Sequence, residues 1–181
     1  MRPQKPQPVK MVASIFTGRR ALFSEVLARL EERFGPVDFL SELLRFDYTD
    51  YYRREFGTGL KRRLLSFERL ADPGTLAQTK LYTNGLEEEY LTGDGRRMVN
   101  IDPGYISPER FVLATCKNFA HRIYLGDGVY ADLTLIYRGG DYRPLEWTYP
   151  DYREGYMRDI LKRIRNKYLF QMRQDRRCSE A

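Results

Sequence analysis

A glycine-rich turn between two strand-like runs constrains the fold of this 181-residue chain more than any other stretch. The segment reads HRIYLGDGVYADL, in which Gly126-Asp127-Gly128 separates two runs of strand-forming residues. A three-residue turn at this point predicts an antiparallel hairpin with Leu125 opposite Val129. The further predicted pairs are Tyr124 with Tyr130, Ile123 with Ala131, Arg122 with Asp132 and His121 with Leu133.

This register gives the hairpin one face that is apolar apart from His121 and one that carries Arg122 and Asp132. The simpler interpretation is a cross-strand ion pair on a solvated sheet face, worth roughly a few tenths of a kcal/mol. The alternative is a polar pocket floor on which Arg122 binds a phosphate or carboxylate. The residues alone favour the ion pair.

His121 is the only histidine of the chain. On an apolar face it is expected to be structural, but it would serve as a general base if Asp102 or Asp132 lay beside it. A single histidine excludes a multi-histidine metal site and the HExxH helix of metalloproteases. The sequence also contains no GxGxxG, GxxxxGK[ST] or GxSxG motif, so we expect neither a metal nor a cofactor.

The segment NIDPG places Asn100 and Asp102 on the same side of a predicted strand that ends at Pro103-Gly104. Polar groups at a strand end beside a turn are common in active sites, and Asp102 is the second candidate for a general base. The alternative is an Asx-type turn in which Asp102 accepts hydrogen bonds from backbone amides.

Three further cations are candidates for binding an anion. Lys117 follows the strand-like run FVLATC and would contribute a charge to the same neighbourhood. Arg19 and Arg20 lie between the first strand and the first helix, where free backbone N–H groups also favour anions. The predicted ligand-binding residues are therefore Asn100, Lys117, Arg122, Asp132, Arg19 and Arg20.

Periodicity and turn residues predict the order of the elements. The first part contains, in order, a strand Val9–Phe16, a helix that Gly35-Pro36 ends, a strand Leu43–Tyr48, a loop Thr49–Gly59, a strand Leu60–Phe67, a helix that Asp72-Pro73 begins and a strand Met98–Asp102. Strands at 110–117, 121–125, 129–137 and 142–145 follow, and a helix from Asp151 to about Asp175 has Tyr156, Ile160, Ile164 and Tyr168 facing inward.

This order predicts a single α+β domain over residues 9–175 with a mostly antiparallel sheet. Its core is expected to be ferredoxin-like, βαββαβ, extended by a C-terminal β-meander and the long final helix. Residues 1–8, rich in proline and glutamine, are expected to form a flexible arm, and residues 176–181 a polar tail.

Composition narrows the class of protein mainly by exclusion. The formal charge of +6 points weakly to anionic partners. Cys116 and Cys178 fit neither a disulfide framework nor a zinc site, which favours the reducing cytoplasm. No signal sequence or membrane span is evident, so no membrane association is expected.

The last predicted helix offers an alternative function. Its outer face carries Arg158, Lys162, Arg163, Arg165 and Lys167, and the preceding tract WTYPDYR supplies aromatic residues. Such a surface suits RNA or a protein partner, although no RNP-type motif is present. Packing of WTYPDYR between helix and sheet, with Asp151 as the helix N-cap, is the simpler interpretation.

The segments NIDPGYIS, FVLATCKNFAHRIYLGDGVYADLTLIY, WTYPDYR and GLKRRLLSFERL resemble an uncharacterised bacterial family, domain of unknown function 4416. The resemblance extends from KMVASIF to the last helix. It implies no activity, cofactor or catalytic residue. Some members are labelled GTP-binding, but this chain has neither a P-loop nor an NKxD motif.

Two functions therefore follow as hypotheses, and a structural subunit that binds no ligand is the third. The first is a binding site for a small molecule with a phosphate or carboxylate group, either a simple receptor or an enzyme that uses His121 or Asp102. The second is an RNA- or protein-binding module that uses the basic face of the last helix. The sequence gives no indication of the oligomeric state.

Overall fold

A computed structural model of the chain describes residues 2–46, 56 and 59–179. The strands are β1 (Val9–Thr17), β2 (Val37–Leu40), β3 (Leu44–Arg45), β4 (Lys61–Ala71), β5 (Val99–Ile106), β6 (Arg110–Thr115), β7 (Arg122–Gly126), β8 (Val129–Arg138) and β9 (Asp141–Pro144). Within the described residues they form one antiparallel sheet of order β2-β4-β1-β5-β6-β8-β7. β3 pairs with β4, and β9 pairs with β8.

Helices cover both faces of the sheet. In the described part of the chain, the helices with defined bounds are α1 (Leu22–Phe34), α2 (Leu76–Glu88), α3 (Pro150–Arg153) and α4 (Gly155–Ser179), and a 3-10 turn, Pro73–Thr75, precedes α2. Ala13 and Ile15 of β1 belong to the core formed with α1 and α2, whereas Val12 belongs to the core formed with α4. Because successive strand residues point to opposite faces, α1 and α2 lie on one side of the sheet and α4 on the other. The chain is a single α+β domain with a mostly antiparallel sheet, as the sequence predicts.

The predicted second strand, Leu43–Tyr48, is confirmed only in part, because it contains the short β3 but the strand before it was missed. The structure has β2 directly after Gly35-Pro36, and β3 contains only Leu44 and Arg45. The sequence VDFL does not look like a strand because it contains an acidic residue. In the structure Asp38 accepts hydrogen bonds from Lys10 Nζ at 2.5 Å and Ser66 Oγ at 2.6 Å, which compensates for its partial burial.

The loop predicted at Thr49–Gly59 lies outside the described residues except for Phe56 and Gly59, and so do Asp47 and Tyr48 at the end of the predicted strand. Phe56 packs edge-on against Phe16, with ring centroids 5.1 Å apart.

The prediction that Pro103-Gly104 ends the fourth strand is also wrong, because β5 continues to Ile106. Pro103 is tolerated where it stands because β6 pairs with β5 only from Gly104 onward. Gly104 is required by close packing: a Cβ atom there would lie 2.3 Å from the backbone oxygen of Val112. β5 therefore continues through this Pro-Gly pair, which marks the point where pairing with β6 begins.

The hairpin has nearly the predicted register. Arg122 lies opposite Asp132, Ile123 opposite Ala131 and Tyr124 opposite Tyr130, but Val129 pairs with Gly126 because of an irregularity after Tyr124. Asp127 has a φ of 52° and Gly128 a φ of 76°, and both values lie in the left-handed region that hairpin turns use.

The C-terminal strands are not arranged as a simple meander. β6 neighbours β8, and β7 lies beyond β8 at the sheet edge. β8 is ten residues long, and its outer edge pairs with both β7 and β9. Because β7 is an edge strand, Ile123 and Leu125 remain exposed, at 70% and 42%.

The last helix differs from its prediction at both ends. It begins at Gly155 after the short α3, and it extends to Ser179. Ile160, Ile164 and Tyr168 are buried as predicted, but Tyr156 is exposed and Met157 and Leu161 are buried instead. In the part of the chain that the structure describes, no helix has the length and apolar character that crossing a membrane requires.

Candidate functional site

The sheet opens between β5 and β6. The two strands pair only where Gly104–Ile106 faces Phe111–Leu113, although β5 begins at Val99 and β6 continues to Thr115. A cleft of about 610 Å³ lies at this opening. Its lining residues are Phe46, Arg62, Lys80, Asn84, Glu87, Glu88, Arg97, Asn100, Asp102, Leu113, Ala114, Thr115, Cys116, Lys117, Arg122, Asp132, Tyr149, Pro150, Asp151 and Tyr152.

Two side chains of α2 bond the backbone of β5 where β6 has separated from it. Lys80 Nζ donates to the carbonyl oxygen of Ile101 at 3.0 Å, and Ile101 N–H donates to Glu87 Oε1 at 2.6 Å. The two residues are seven positions apart and therefore lie on one side of the helix, two turns from each other. The buried N–H and C=O groups of Ile101 thereby gain hydrogen-bond partners where β6 supplies none.

Burial raises the pKa of the Glu87 carboxyl group, while Lys80, Ile101 N–H and Arg97 lower it by smaller amounts. Arg97 Nη1 donates to Glu87 Oε2 at 2.8 Å and to Asn100 Oδ1 at 3.1 Å. Arg97 thus connects the helix to the floor of the cleft.

Asp102 is one of the carboxylates that line the cleft. Asn100 Nδ2 donates to its Oδ2 at 2.8 Å, and Lys80 Nζ lies 3.4 Å from its Oδ1. The Asp102 side chain is 32% exposed, whereas that of Lys80 is 8% exposed. Asp102 is therefore a partly accessible carboxylate beside a buried ammonium group.

A buried ion pair forms one wall of the cleft. Arg62 Nη1 of β4 donates to Asp151 Oδ2 of α3, and both side chains are almost fully buried. The Arg62 guanidinium lies 4.0 Å from the centre of the Phe46 ring and 5.3 Å from that of Tyr152. Its pKa is raised: burial opposes the charge, but Tyr152 and Asp151 outweigh this effect. Asp151 therefore pairs with Arg62, and the prediction that it caps the last helix is wrong.

The hairpin contributes a second ion pair to the lining of the cleft. Arg122 Nε donates to Asp132 Oδ2 at 2.9 Å, Nη1 to the Lys117 carbonyl oxygen at 2.9 Å and Nη2 to the Tyr149 hydroxyl at 3.3 Å. Both side chains of the ion pair are 8% exposed, so this is not the solvated pair that the simpler interpretation predicts. The pKa of Arg122 is raised, since its bonds to Asp132 and Tyr149 outweigh the opposing effect of burial.

The predicted position of His121 on an apolar hairpin face is wrong. Its Nε2 lies 3.2 Å from Asp132 Oδ2, and its ring stacks on Trp147 with centroids 4.9 Å apart. β7 begins only at Arg122, so His121 lies outside the strand. Its side chain therefore need not follow the alternation of side chains between the two faces of the sheet. It lies behind Asp132 and is not among the residues that line the cleft.

Five of the eight predicted site residues line the cleft: Asn100, Asp102, Lys117, Arg122 and Asp132. Arg20 lines a different pocket, and Arg19 lines neither. Sequence reasoning missed Arg62, Lys80, Glu87 and Asp151. Glu87 begins the run Glu87-Glu88-Glu89, which is typical of a solvated helix face, yet the residue is buried. A signal was present, since Lys80, Thr83 and Glu87 recur on one side of α2.

The charges that line the cleft are balanced. Five are basic (Arg62, Lys80, Arg97, Lys117 and Arg122) and five acidic (Glu87, Glu88, Asp102, Asp132 and Asp151). Over residues 2–46, 56 and 59–179, no group of three or more His, Cys, Asp or Glu side chains is placed to hold a metal ion. Cys116 is a free, exposed thiol at the cleft, where Asn84 Nδ2 donates to its Sγ at 3.2 Å.

Fold and site together define an α+β protein whose sheet opens onto a cleft lined by ion pairs. The model of the family described as Domain of unknown function (DUF4416) matches residues 7–168, and the chain belongs to this family. No curated protein and no solved structure matches the chain.

Proposed function

We propose that the protein binds a small molecule with a phosphate or carboxylate group in the cleft between β5 and β6. The observation that carries the proposal is the convergence of Asn100 and Asp102 with Arg122 and Asp132 on a single cavity. These pairs come from separate parts of the chain, and a purely structural sheet has no need to bring them together. The cavity volume of about 610 Å³ falls in the range of small-molecule sites, roughly 300–1,000 Å³.

The anionic group has several N–H donors available to it. Arg62 Nε is buried and has no acceptor among the described residues. A guanidinium group has five N–H donors, and the three bonds of Arg122 leave two of them for a ligand. Lys117 lies exposed at the same cleft. Because the lining charges balance, we expect the ligand to carry polar or cationic groups beside its anion.

Asp102 is the proposed general base if the ligand is a substrate. It is the carboxylate of the cleft that combines partial exposure with a buried cation, Lys80, at 3.4 Å. His121 would act through Asp132 and Arg122, as a positioning residue, since it does not line the cleft. Either outcome, receptor or enzyme, uses the same site.

The experiment is a calorimetric titration of the purified protein with a panel of phosphorylated and carboxylated metabolites. Lys117→Ala should weaken binding of any hit by about tenfold, because it removes one charged donor. Lys61→Ala is the matched control, since Lys61 is an exposed lysine that does not line the cleft. Asp102→Asn should retain binding and lose any turnover. No hit in the panel, or equal losses in both lysine variants, would contradict the proposal.

The alternative function, RNA or protein binding on the basic face of α4, has weaker support. Lys162 Nζ lies 2.7 Å from Asp159 and 3.3 Å from Asp141, and Arg165 Nε donates to the Pro108 carbonyl oxygen at 2.9 Å. Arg158 bonds Asp141, Lys167 bonds the Asp38 carbonyl oxygen, and Arg163 stacks on Phe39. These basic groups already have partners within the chain. If the alternative holds, RNA affinity will fall steeply as salt is added.

We also propose that the first part of the sheet is a ferredoxin-like core. Its support is the order β2-β4-β1-β5, joined by α1 between β1 and β2 and by α2 between β4 and β5. The cytoplasm is the proposed location, on the evidence of two cysteines that fit no disulfide framework.

A further inference from the structure

A second cavity, of about 330 Å³, lies between α1 and the sheet. It is lined by Ile15, Arg20, Phe23, Ser24, Leu27, Leu40, Leu43, Arg63 and Leu65. Arg63 follows Arg62 on β4 and pairs with Ile15 of β1, so it points to the sheet face that α1 covers. The two neighbouring arginines of β4 therefore serve different cavities on opposite faces.

The charges of this second cavity are all of one sign. Arg20 and Arg63 are its only charged lining residues, and no carboxylate lines it in the part of the chain that the structure describes. Six of the nine lining residues are apolar: Ile15, Phe23, Leu27, Leu40, Leu43 and Leu65. The main cleft, by contrast, is lined by as many acidic as basic residues.

The Nε–H group of Arg63 has no hydrogen-bond acceptor among the described residues. The Nε atom is buried, and the Arg63 guanidinium lies 6.0 Å from the centre of the Phe23 ring. A buried N–H donor that has given up water and gained no acceptor is unfavourable. Arg62 on the other face has Asp151 as its counter-ion. Nothing equivalent faces Arg63 in the described structure.

We propose that this cavity binds a compact amphiphilic anion, with a carboxylate or phosphate head on Arg63 and Arg20 and a short hydrocarbon body among the apolar residues. Arg63 sits beside Phe23 and gives directional N–H donors, while the exposed Arg20 contributes its charge at the mouth. The apolar walls match a hydrocarbon body and offer a sugar or peptide few partners.

The test is a titration of the full chain with hexanoate, followed by two-dimensional NMR. Hexyl phosphate forms a second arm, which distinguishes a phosphate head from a carboxylate. Hexanol and hexylamine have the same body with a neutral or cationic head. We expect one or both anions to bind, and both comparators to bind at least tenfold more weakly, because they lack the charge that the arginines pair with. Shifted resonances should belong to Leu27, Leu40 and Leu65.

Three variants make the assignment to this cavity decisive. Arg63→Met keeps the length of the side chain and removes the donor without an acceptor, so the fold should keep its melting temperature while anion affinity falls by at least tenfold. Arg20→Ala should also weaken binding. Arg19→Ala is the matched control, because Arg19 is an exposed neighbour that does not line the cavity.

Failure of both anions to bind at millimolar concentration would overturn the proposal. So would binding that hexanol or hexylamine equals, or an affinity that Arg19→Ala lowers as much as Arg63→Met does. None of these results bears on the main cleft, because Arg62 and Asp102 are unchanged in all three variants.

Discussion

Lys80 takes the place of a strand neighbour for Ile101. Its ammonium group donates to the Ile101 carbonyl oxygen at 3.0 Å, at a point where β6 no longer pairs with β5. A helix side chain thus supplies the bond that an adjacent backbone N–H supplies elsewhere in the sheet. The Ile101 carbonyl oxygen therefore keeps a hydrogen-bond donor although the sheet is open beside it.

Replacing Lys80 by methionine should lower the free energy of unfolding by about 1–3 kcal/mol, since it leaves a buried carbonyl without a donor and removes the cation beside Asp102. Urea unfolding followed by circular dichroism measures this loss. Lys61→Met is the matched control at an exposed lysine and should have little effect. Equal losses in the two variants would show that the Lys80 bond contributes nothing of its own.

Glu87 should make stability fall as pH rises above its unfolded pKa near 4.5. Burial raises its pKa in the folded state, so over the interval between the two values the folded protein holds more protons than the unfolded chain. The stabilising contribution is present below pH 4.5 and is lost as pH passes through the raised value. Glu87→Gln cannot titrate and should lack this slope in urea unfolding between pH 4 and pH 8. An unchanged slope would contradict the prediction.

Asp132→Asn should cost about 3–5 kcal/mol, because it leaves the buried guanidinium of Arg122 without its counter-ion. Thermal and urea unfolding both measure the loss. Asp127→Asn is the control on the same hairpin: Asp127 is exposed at a φ of 52°, which asparagine also tolerates. If the two substitutions have equal effects, the Arg122–Asp132 pair is not the source of stability.

Two glycines should respond to alanine with opposite signs. Gly85 lies within α2, and a Cβ there meets nothing within 4 Å, so Gly85→Ala should stabilise by about 0.5–1 kcal/mol. Gly128 has a φ of 76° in the hairpin turn, so Gly128→Ala should destabilise by about 1–2 kcal/mol. Melting temperatures of the two variants should move in opposite directions, and a common direction would count against the turn geometry.

Local patterns predicted much of this fold because they reflect local constraints. The turn at Asp127-Gly128 fixed the pairing of Arg122 with Asp132, and β1 followed from a continuous apolar run. β2 was missed because Asp38 is made compatible with the sheet by Lys10, a partner far away in sequence. Pro103-Gly104 has the composition of a turn, but the close approach of Val112 is the reason for its glycine.

The residues of the candidate site likewise fall into a group that the sequence predicted and a group that it missed. Asn100, Asp102, Arg122 and Asp132 stood out because polar residues on predicted strands attract attention. Arg62 and Lys80 did not, since an arginine in the basic run Lys61-Arg62-Arg63 and a single lysine in a helix look solvated. Their burial follows from tertiary contacts: Asp151 comes 89 positions after Arg62, and Ile101 comes 21 after Lys80. The polar side of α2 marks Lys80 as unusual, but no local pattern identifies the distant partner of either residue.

The separation of β5 from β6 has a consequence for what a bound molecule would touch. In a continuous sheet, a molecule bound on one face makes no contact with the helices that cover the other face. Here Lys80 and Glu87 come from one helical layer, Asp151 and Tyr152 come from the opposite side, and all four line the same cavity. A ligand bound in the cleft would contact residues from both helical layers. Its binding would therefore affect the packing of both hydrophobic cores.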